Sequence, residues 1–344
     1  MPTYRLAFLG FGNVGRALAR LLLEKREALR VAYDIDFVVT GIATGRHGRA
    51  VAPEGIDLAA ALARAESGES LAPLGTEPEP PSGLDFVQAV PADVLFENTP
   101  VNYEHGEPAV SHIRVALERG MHVATANKGP VVHAYHDLTA LAKRQGRRFF
   151  FESAVMDGAP IFSLFRETLP AARLLAFRGI LNSTTNLILS RMETEMETFA
   201  QAVAYAQSIG IAETDPSGDV DGWDAAIKVA ALVTVLMGIP LTPQQVQRQG
   251  IREITRQRVM EAAAQGRRWK LVCEAERTED GVRASVAPQL VGPDSPLYGV
   301  MGTSSVVTFR TDVLGDLSVR EDNPGPHTTA YGLLADFLNA VRRG

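Results

Sequence analysis

The stretch RLAFLGFGNVGRALARLL, residues 5–22, constrains this chain more than any other. An apolar run meets glycines at positions 10, 12 and 15, and an apolar-periodic segment, NVGRALARLLLEKREAL, follows directly. A strand that passes through GxGxxG into an amphipathic helix opens a βαβ unit. Each glycine has a physical task in such a turn: Gly10 permits the tight bend, Gly12 lets a phosphate approach the backbone, and Gly15 lets helix and strand pack closely. The helix N-terminus adds free N–H groups and the positive end of its dipole. The loop Gly10–Phe11–Gly12–Asn13–Val14–Gly15 is therefore expected to cradle the pyrophosphate of a dinucleotide, against the alternative of a glycine turn that binds nothing.

The pattern continues as alternating strands and helices. DFVVTGIAT reads as a second strand, and DLAAALARAE as a helix with Asp57 as N-cap. A Pro-rich loop, LAPLGTEPEPPSGL, comes next. DVLFENT, HVATAN and RFFFES read as strands, separated by the helices PAVSHIRVALERG and YHDLTALAKRQG, which end at Gly120 and Gly146. This order implies a mostly parallel sheet covered on both faces. Beyond about residue 152 the rhythm changes. Helices dominate from Pro160 to Gln265, with one strand-like run, RLLAFRGIL. From Arg268 to about Asp316 a period of two returns in RWKLVCEAE, GVRASVAPQLV and SSVVTFRTD, the mark of an antiparallel sheet. The last segment, TTAYGLLADFLNAVRR, is an amphipathic helix with Leu333, Leu334, Phe337, Leu338 and Val341 on one face.

Bulk properties exclude several classes. With 344 residues the chain suggests two domains, and 46% hydrophobic residues suffice for sizeable cores. A formal charge of −6 argues against nucleic acid or an anionic membrane as partner. Cys273 is the single cysteine, which excludes an internal disulfide and a multi-cysteine zinc site; its strand-like surroundings predict a buried structural thiol. Neither a signal peptide nor an uninterrupted membrane-length apolar run is visible, so a cytoplasmic enzyme is expected.

One further helix stands out. DGWDAAIKVAALVTVLMG is apolar nearly all round from Trp223 to Met237, which predicts burial, yet Asp224 and Lys228 lie four residues apart on one face. Glu213, Asp215, Asp219 and Asp221 precede them closely. An ordinary i,i+4 pair with Asp221 as a cap is one account. The other is a charged pair facing a cleft, since an unpaired buried charge costs several kcal/mol. In a partly dry pocket, desolvation lowers the proton affinity of a lysine and neighbouring carboxylates restore it, which suits a proton donor to a carbonyl oxygen during hydride delivery. The surplus carboxylates would draw an ammonium group on the substrate. A second lysine, Lys128 in HVATANKGP, and Thr99 in FENTP both follow strands on the carboxyl side of the sheet, where ligands bind in such folds.

The residues after the second strand bear on the cofactor. An NAD site usually has Asp or Glu there, but TGRHGRA offers Arg46 and Arg49 instead, which suit the 2′-phosphate of NADP unless they are simply a wetted loop. Asp34 and Asp36 precede that strand and fall at its far end. NADP(H) is thus preferred, with NAD(H) possible.

Taken together, GFGNVG, ENT, TANKGP, ESAVMDGAPI, GILNSTTNLIL and AETDPSGDVDGWDAAIK resemble, in order and approximate spacing, the homoserine dehydrogenase family over nearly the whole chain. The resemblance implies reversible reduction of aspartate 4-semialdehyde to homoserine, on the route to threonine, isoleucine and methionine. It implies Lys228 as general acid and base and Lys128 between cofactor and substrate, sharing proton work. Glu213, Asp219, Asp224 and Thr184 would line the substrate pocket, and Thr99 and Gly325 would approach the cofactor. Some members bind a sodium-like cation through backbone oxygens, here of Glu152, Val155, Asp157 and Ala159. The implied architecture is α/β. A Rossmann-type doubly wound parallel sheet spans 1–151 and is completed by a C-terminal helix in 322–344. An α+β substrate-binding and dimerisation domain with an antiparallel sheet spans 152–321 and pairs with that of a second subunit. Many relatives carry a C-terminal regulatory domain; this chain ends after its final helix, so feedback inhibition by threonine through such a domain is not expected. Two alternatives stay open at this point: another NADP-dependent oxidoreductase of an amino-acid semialdehyde or hydroxy acid, and a catalytically inactive dinucleotide-binding regulator.

Overall fold

A computed structural model describes residues 1–342. The chain divides into two compact units, one comprising Met1–Pro160 and the segment from Gly325 onward, the other Ile161–Pro324.

In the first unit, β1 (Thr3–Leu9), β2 (Asp36–Ala43), β3 (Arg49–Val51), β4 (Val94–Glu97), β5 (His122–Thr125) and β6 (Phe149–Phe150) form one sheet in the order β3-β2-β1-β4-β5-β6. All pairings are parallel except that of β3 with β2. The strands are nearly continuous apolar runs, as burial on both faces requires; Leu6, Ala7, Phe8, Val94, Leu95 and Phe96 are all fully buried. Helices α1 (Asn13–Tyr33), α2 (Leu58–Glu66), α3 (Gly83–Ala89), α4 (Ala109–Glu118), α5 (Lys128–His133) and α6 (Tyr135–Arg144) connect them. The strand order turns back between β1 and β4, and the crevice at that switch point is where a doubly wound sheet binds its ligand. Asp57 caps α2, its carboxylate accepting from the Ala59 N–H at 2.8 Å. Two features went unread in the sequence. The Arg49–Val51 strand is only three residues long, and α3 sits within and beyond what reads as a Pro-rich loop, opened by the Ser82 hydroxyl as N-cap.

The second unit carries β7 (Leu174–Ile180), β8 (Gln247–Arg248), β9 (Arg268–Thr278), β10 (Gly281–Val291), β11 (Ser305–Thr311) and β12 (Gly315–Glu321), ordered β12-β11-β7-β9-β10-β8. The long pairings are antiparallel, and only β8 runs parallel to its neighbour β10. Its helices are α7 (Ile161–Ser163), α8 (Ser183–Thr194), α9 (Phe199–Ser208), α10 (Ser217–Val220), α11 (Trp223–Leu232) and α12 (Arg256–Ala264). Helices α8, α11 and α12 pack on β9, burying Lys270 to Cys273. The helix read from Trp223 to Met237 is α-helical to Leu232 and then widens into a π-helical turn over Val233–Met237. Asp221 is not its cap: Gly222 takes that position with φ 81°, and Asp221 pairs with Arg252 instead. Cys273 is fully buried, and burial pushes its thiol up to about 12.

The chain ends in α13 (Pro326–Val341), which packs along α1 and places Leu333, Leu334 and Phe337 in the core beside Phe8 and Phe96. Of the helix expected within 322–344, the last two residues lie outside the described residues. Among the described residues no helix is long and apolar enough to cross a membrane.

Candidate functional site

The glycine loop begins where β1 ends. Gly10 has φ +100° and donates its N–H to Ala43 O of β2 at 2.9 Å; a Cβ there would lie 2.4 Å from the carbonyl oxygen of Asn98. At Gly15 a Cβ would lie 2.5 Å from Gly10 O, so the close packing of α1 requires glycine. Gly12, by contrast, faces open space, with nothing within 4 Å of the same position. It is the N-cap of α1, no side chain caps the helix and no acid stands in its first turn, so the first N–H groups, from Asn13 onward through Val14, remain for a ligand. Phe11 is buried against Phe8. Beside the loop, both polar atoms of the Asn98 side chain are buried without a protein partner. An open backbone cradle, an uncapped helix end and an orphaned amide fit a dinucleotide pyrophosphate.

At the next two strand ends the polar groups are interlocked. Glu97, the last residue of β4, is fully buried. Its carboxyl group accepts from the Thr99 N–H at 3.0 Å, from the Thr99 hydroxyl, and from the Thr125 hydroxyl at 2.8 Å. Burial holds this carboxyl above its ordinary range, against the lowering effect of those donors. Asn127 donates Nδ2–H to Thr99 O at 3.1 Å and accepts the Gly129 N–H at 3.0 Å, capping α5, whose first residue is Lys128. The sequence points to Thr99 and Lys128 but not to Glu97, for which an acid closing an apolar strand, VLFE, is the one available signal.

After β2 the chain turns through Thr44–Gly48. Arg46 is exposed there, with no hydrogen-bond or ion-pair partner among the described residues. Arg49 differs: its guanidinium donates to the carbonyls of Pro80 at 2.5 Å and Pro81 at 2.8 Å, so it braces the Pro-rich segment. Asp36 lies at the opposite end of β2, paired with Arg26.

The segment of Glu152, Val155, Asp157 and Ala159 forms a turn held by α13. Asp336 accepts the Glu152 N–H at 2.8 Å, and the Thr329 hydroxyl donates to Asp157, whose φ is +43°, at 2.5 Å. The turn's own bonds, Ala154 N–H to Phe151 O and Ala159 N–H to Met156 O, use other carbonyls than those four. Among the described residues no three His, Cys, Asp or Glu side chains group as a metal site. Gly325 precedes α13 and donates its N–H to the Thr328 hydroxyl at 3.0 Å.

In the second unit the acids and the lysine of α11 converge on the end of β7. The Lys228 ammonium donates to Leu181 O at 2.7 Å and pairs with Asp224 at 3.0 Å, each side chain only 14% exposed. Asn182 caps α8, its Oδ1 accepting the Thr185 N–H at 2.8 Å. That fixes its Nδ2, which donates to Asp219 at 2.6 Å and to Asp224 at 2.9 Å. Thr184 is buried; its hydroxyl donates to Ile211 O at 3.4 Å and, beside Asp219, lowers the proton affinity of that carboxyl. Burial, and then the neighbouring Asp224, raise the proton affinity of Asp219, opposed by Asn182 and Lys228. The structure therefore joins Lys228, Asp224, Asp219 and Thr184 and adds Asn182 as their link. Glu213 stands apart, exposed on the loop, with its side chain unpartnered among the described residues.

A doubly wound sheet with an open glycine cradle, and a second unit with a lysine–carboxylate cluster, define a nicotinamide-dinucleotide oxidoreductase. Comparison with known proteins gives the particular kind. Residues 10–152 match the model of the homoserine dehydrogenase NAD-binding domain, and residues 160–338 that of homoserine dehydrogenase itself. An NAD(+)-dependent homoserine dehydrogenase of Pseudomonas canavaninivorans is 36% identical, covering 98% of this chain and 96% of that protein. The homoserine dehydrogenase of Methanocaldococcus jannaschii is 37% identical, covering 97% of each. Among solved structures, a hyperthermophilic archaeal homoserine dehydrogenase in complex with NADPH superposes with a TM-score of 0.84 at 32% identity, over 100% of this chain and 99% of that one. The chain belongs to the homoserine dehydrogenase family.

Proposed function

We propose that this protein interconverts L-homoserine and L-aspartate 4-semialdehyde, with NADP(H) preferred and NAD(H) accepted. The observation that carries the reading is Lys228, held nearly dry by Leu181 O and Asp224 inside an acidic cluster. When bound, the nicotinamide would supply the hydride for reduction and take it back in oxidation. Lys228 gives a proton to the aldehyde oxygen as the carbon gains hydride, and in reverse takes the hydroxyl proton. Asp224 pairs with the lysine, Asp219 is tied to Asp224 through Asn182, and both favour the substrate's ammonium; Glu213, unpartnered among the described residues, is assigned to that ammonium as well. Thr184 lines the same pocket. In the first unit Gly10 to Gly15 hold the pyrophosphate, while Thr99, Lys128 and Gly325 approach the cofactor, Lys128 sharing proton work. Arg46 takes the 2′-phosphate; the engagement of Arg49 with Pro80 and Pro81 leaves Arg46 as the available cation.

Three finer elements belong to the same proposal. A sodium-like cation held by the backbone oxygens of Glu152, Val155, Asp157 and Ala159 braces their turn. The protein acts in the cytoplasm. It forms a homodimer through the antiparallel sheet, one face of which carries a hollow of about 470 Å³ lined by Arg178, Glu274, Arg283 and Arg310. The deciding assay follows absorbance at 340 nm with homoserine and NADP or NAD. Turnover well above that with other amino alcohols supports the reading, and bound cofactor without turnover overturns it.

A further inference from the structure

Glu97 is an unusual residue to find where it is. A fully buried carboxylate normally has a cation beside it, because leaving water costs it several kcal/mol. Here no ion pair reaches it among the described residues, and every group that addresses it is a neutral donor. Apolar strand residues surround it, Phe96 before it and Leu9 in register across on β1. A structural brace alone would be met by a neutral side chain.

What the carboxylate holds gives its role. One oxygen takes both the N–H and the hydroxyl of Thr99; the other takes the hydroxyl of Thr125. Thr125 in turn accepts the Asn127 N–H at 2.9 Å, and Asn127 bonds back to Thr99 O while capping the helix that Lys128 begins. A single acid thus locks together the two segments that leave β4 and β5. These carry the two residues assigned to the nicotinamide end of the cofactor. We propose that Glu97 is a positioning residue, which sets Thr99 and Lys128 relative to one another for hydride transfer. The assignment rests on the functional reading above and names a residue that acts on the reaction through others.

The test compares the whole protein with Glu97→Gln and Glu97→Asp. Glutamine keeps the size but turns an N–H toward donors that need an acceptor. Aspartate keeps the charge but cannot span Thr99 and Thr125 together. Misplacement on the ångström scale should lower kcat of Glu97→Gln about 10- to 100-fold. The deuterium isotope effect with homoserine labelled at its hydroxyl-bearing carbon should rise as hydride transfer becomes limiting. KM for homoserine should stay within about twofold and Tm within about 3 °C. Glu97→Asp should recover part of the rate. A folded Glu97→Gln with parental kcat and isotope effect overturns the proposal, as does loss of activity that only tracks loss of folded protein, or failure of both variants to fold. If the unchanged protein does not oxidise homoserine, the functional reading falls and this assignment with it; an active parent with indifferent variants sinks this assignment alone.

Discussion

At the scale of the residue, Lys228 is held where it costs free energy to hold it. Its neighbours on α11, Ile227 and Val229, are fully buried, and its own ammonium spends its hydrogen bonds on Leu181 O and Asp224. An exposed i,i+4 pair would contribute about 0.3–0.5 kcal/mol and could be dropped without consequence. This one is screened from water and tied through Asn182 to a second carboxylate, Asp219. Lys228→Ala should therefore lower kcat about 10²- to 10⁴-fold, the span of a lost general acid. Cofactor affinity, read by fluorescence titration, should hardly change. Retained activity in that variant would move the proton role to Lys128. Arg46 tests a different contact. Removing a charge-assisted hydrogen bond worth about 1.5–3 kcal/mol should raise KM for NADP(H) about 10- to 100-fold and leave KM for NAD(H) near its parental value. Equal effects on the two cofactors would discard the phosphate contact.

The elements show which parts of the site a sequence can display. The glycine loop was legible through its spacing: Gly10 is required by Asn98 far along the chain and Gly12 faces open space, but the demand on Gly15 comes from Gly10 O, five residues back, and is written in the loop itself. The same demand gives a prediction: Gly15→Ala puts a methyl 2.5 Å from Gly10 O, so α1 must shift away from the cradle. Dinucleotide binding, measured by calorimetry, should weaken at least about tenfold, about 1.4 kcal/mol. Parental affinity in that variant would refute the close-packing role of Gly15. Helix α11 was legible too, since charges within an apolar segment break its pattern. Other parts depend on partners far along the chain. Asn182 caps α8, and only the fold brings its amide between Asp219 and Asp224. Glu97 reads as a strand end until Thr125, 28 residues on, supplies a donor. The capping role offered to Asp221 went to Gly222: Asp221 closes α10 with helical backbone, and its carboxylate pairs with Arg252, 31 residues away. The three-residue β3 exists only as a partner of β2, without enough length for a period of its own.

For the molecule as a whole, stability is divided between two units with separate cores, and the second contains a charge its core has to carry. Lys270 on β9 is 1% exposed. Its ammonium bonds Asn186 of α8 at 3.0 Å and the carbonyl of Val300, with Met301 Sδ at 3.5 Å, and among the described residues no carboxylate is in direct contact. Burial lowers its proton affinity to about 8; the charge of Glu193 raises it and that of Arg268 lowers it further. In the unfolded chain the same lysine returns to about 10.4. Between those two values the unfolded state binds more protons than the folded one, so stability rises with pH across that window. Below about 8 both states are charged and the full cost of burial is present. The total is about 3 kcal/mol, enough to read in urea unfolding at pH 7.5 and pH 10. Cys273, pushed up to about 12, titrates in the folded state above this range, and its contribution is common to parent and variant. Lys270→Met removes the titrating group and fills similar space, so the difference between parent and variant isolates this lysine. The parent should gain stability relative to Lys270→Met as pH rises through 8 to 10. Parallel pH profiles for the two proteins would mean that Lys270 keeps its ordinary proton affinity and that its contacts with α8 and the Val300 segment compensate fully for burial.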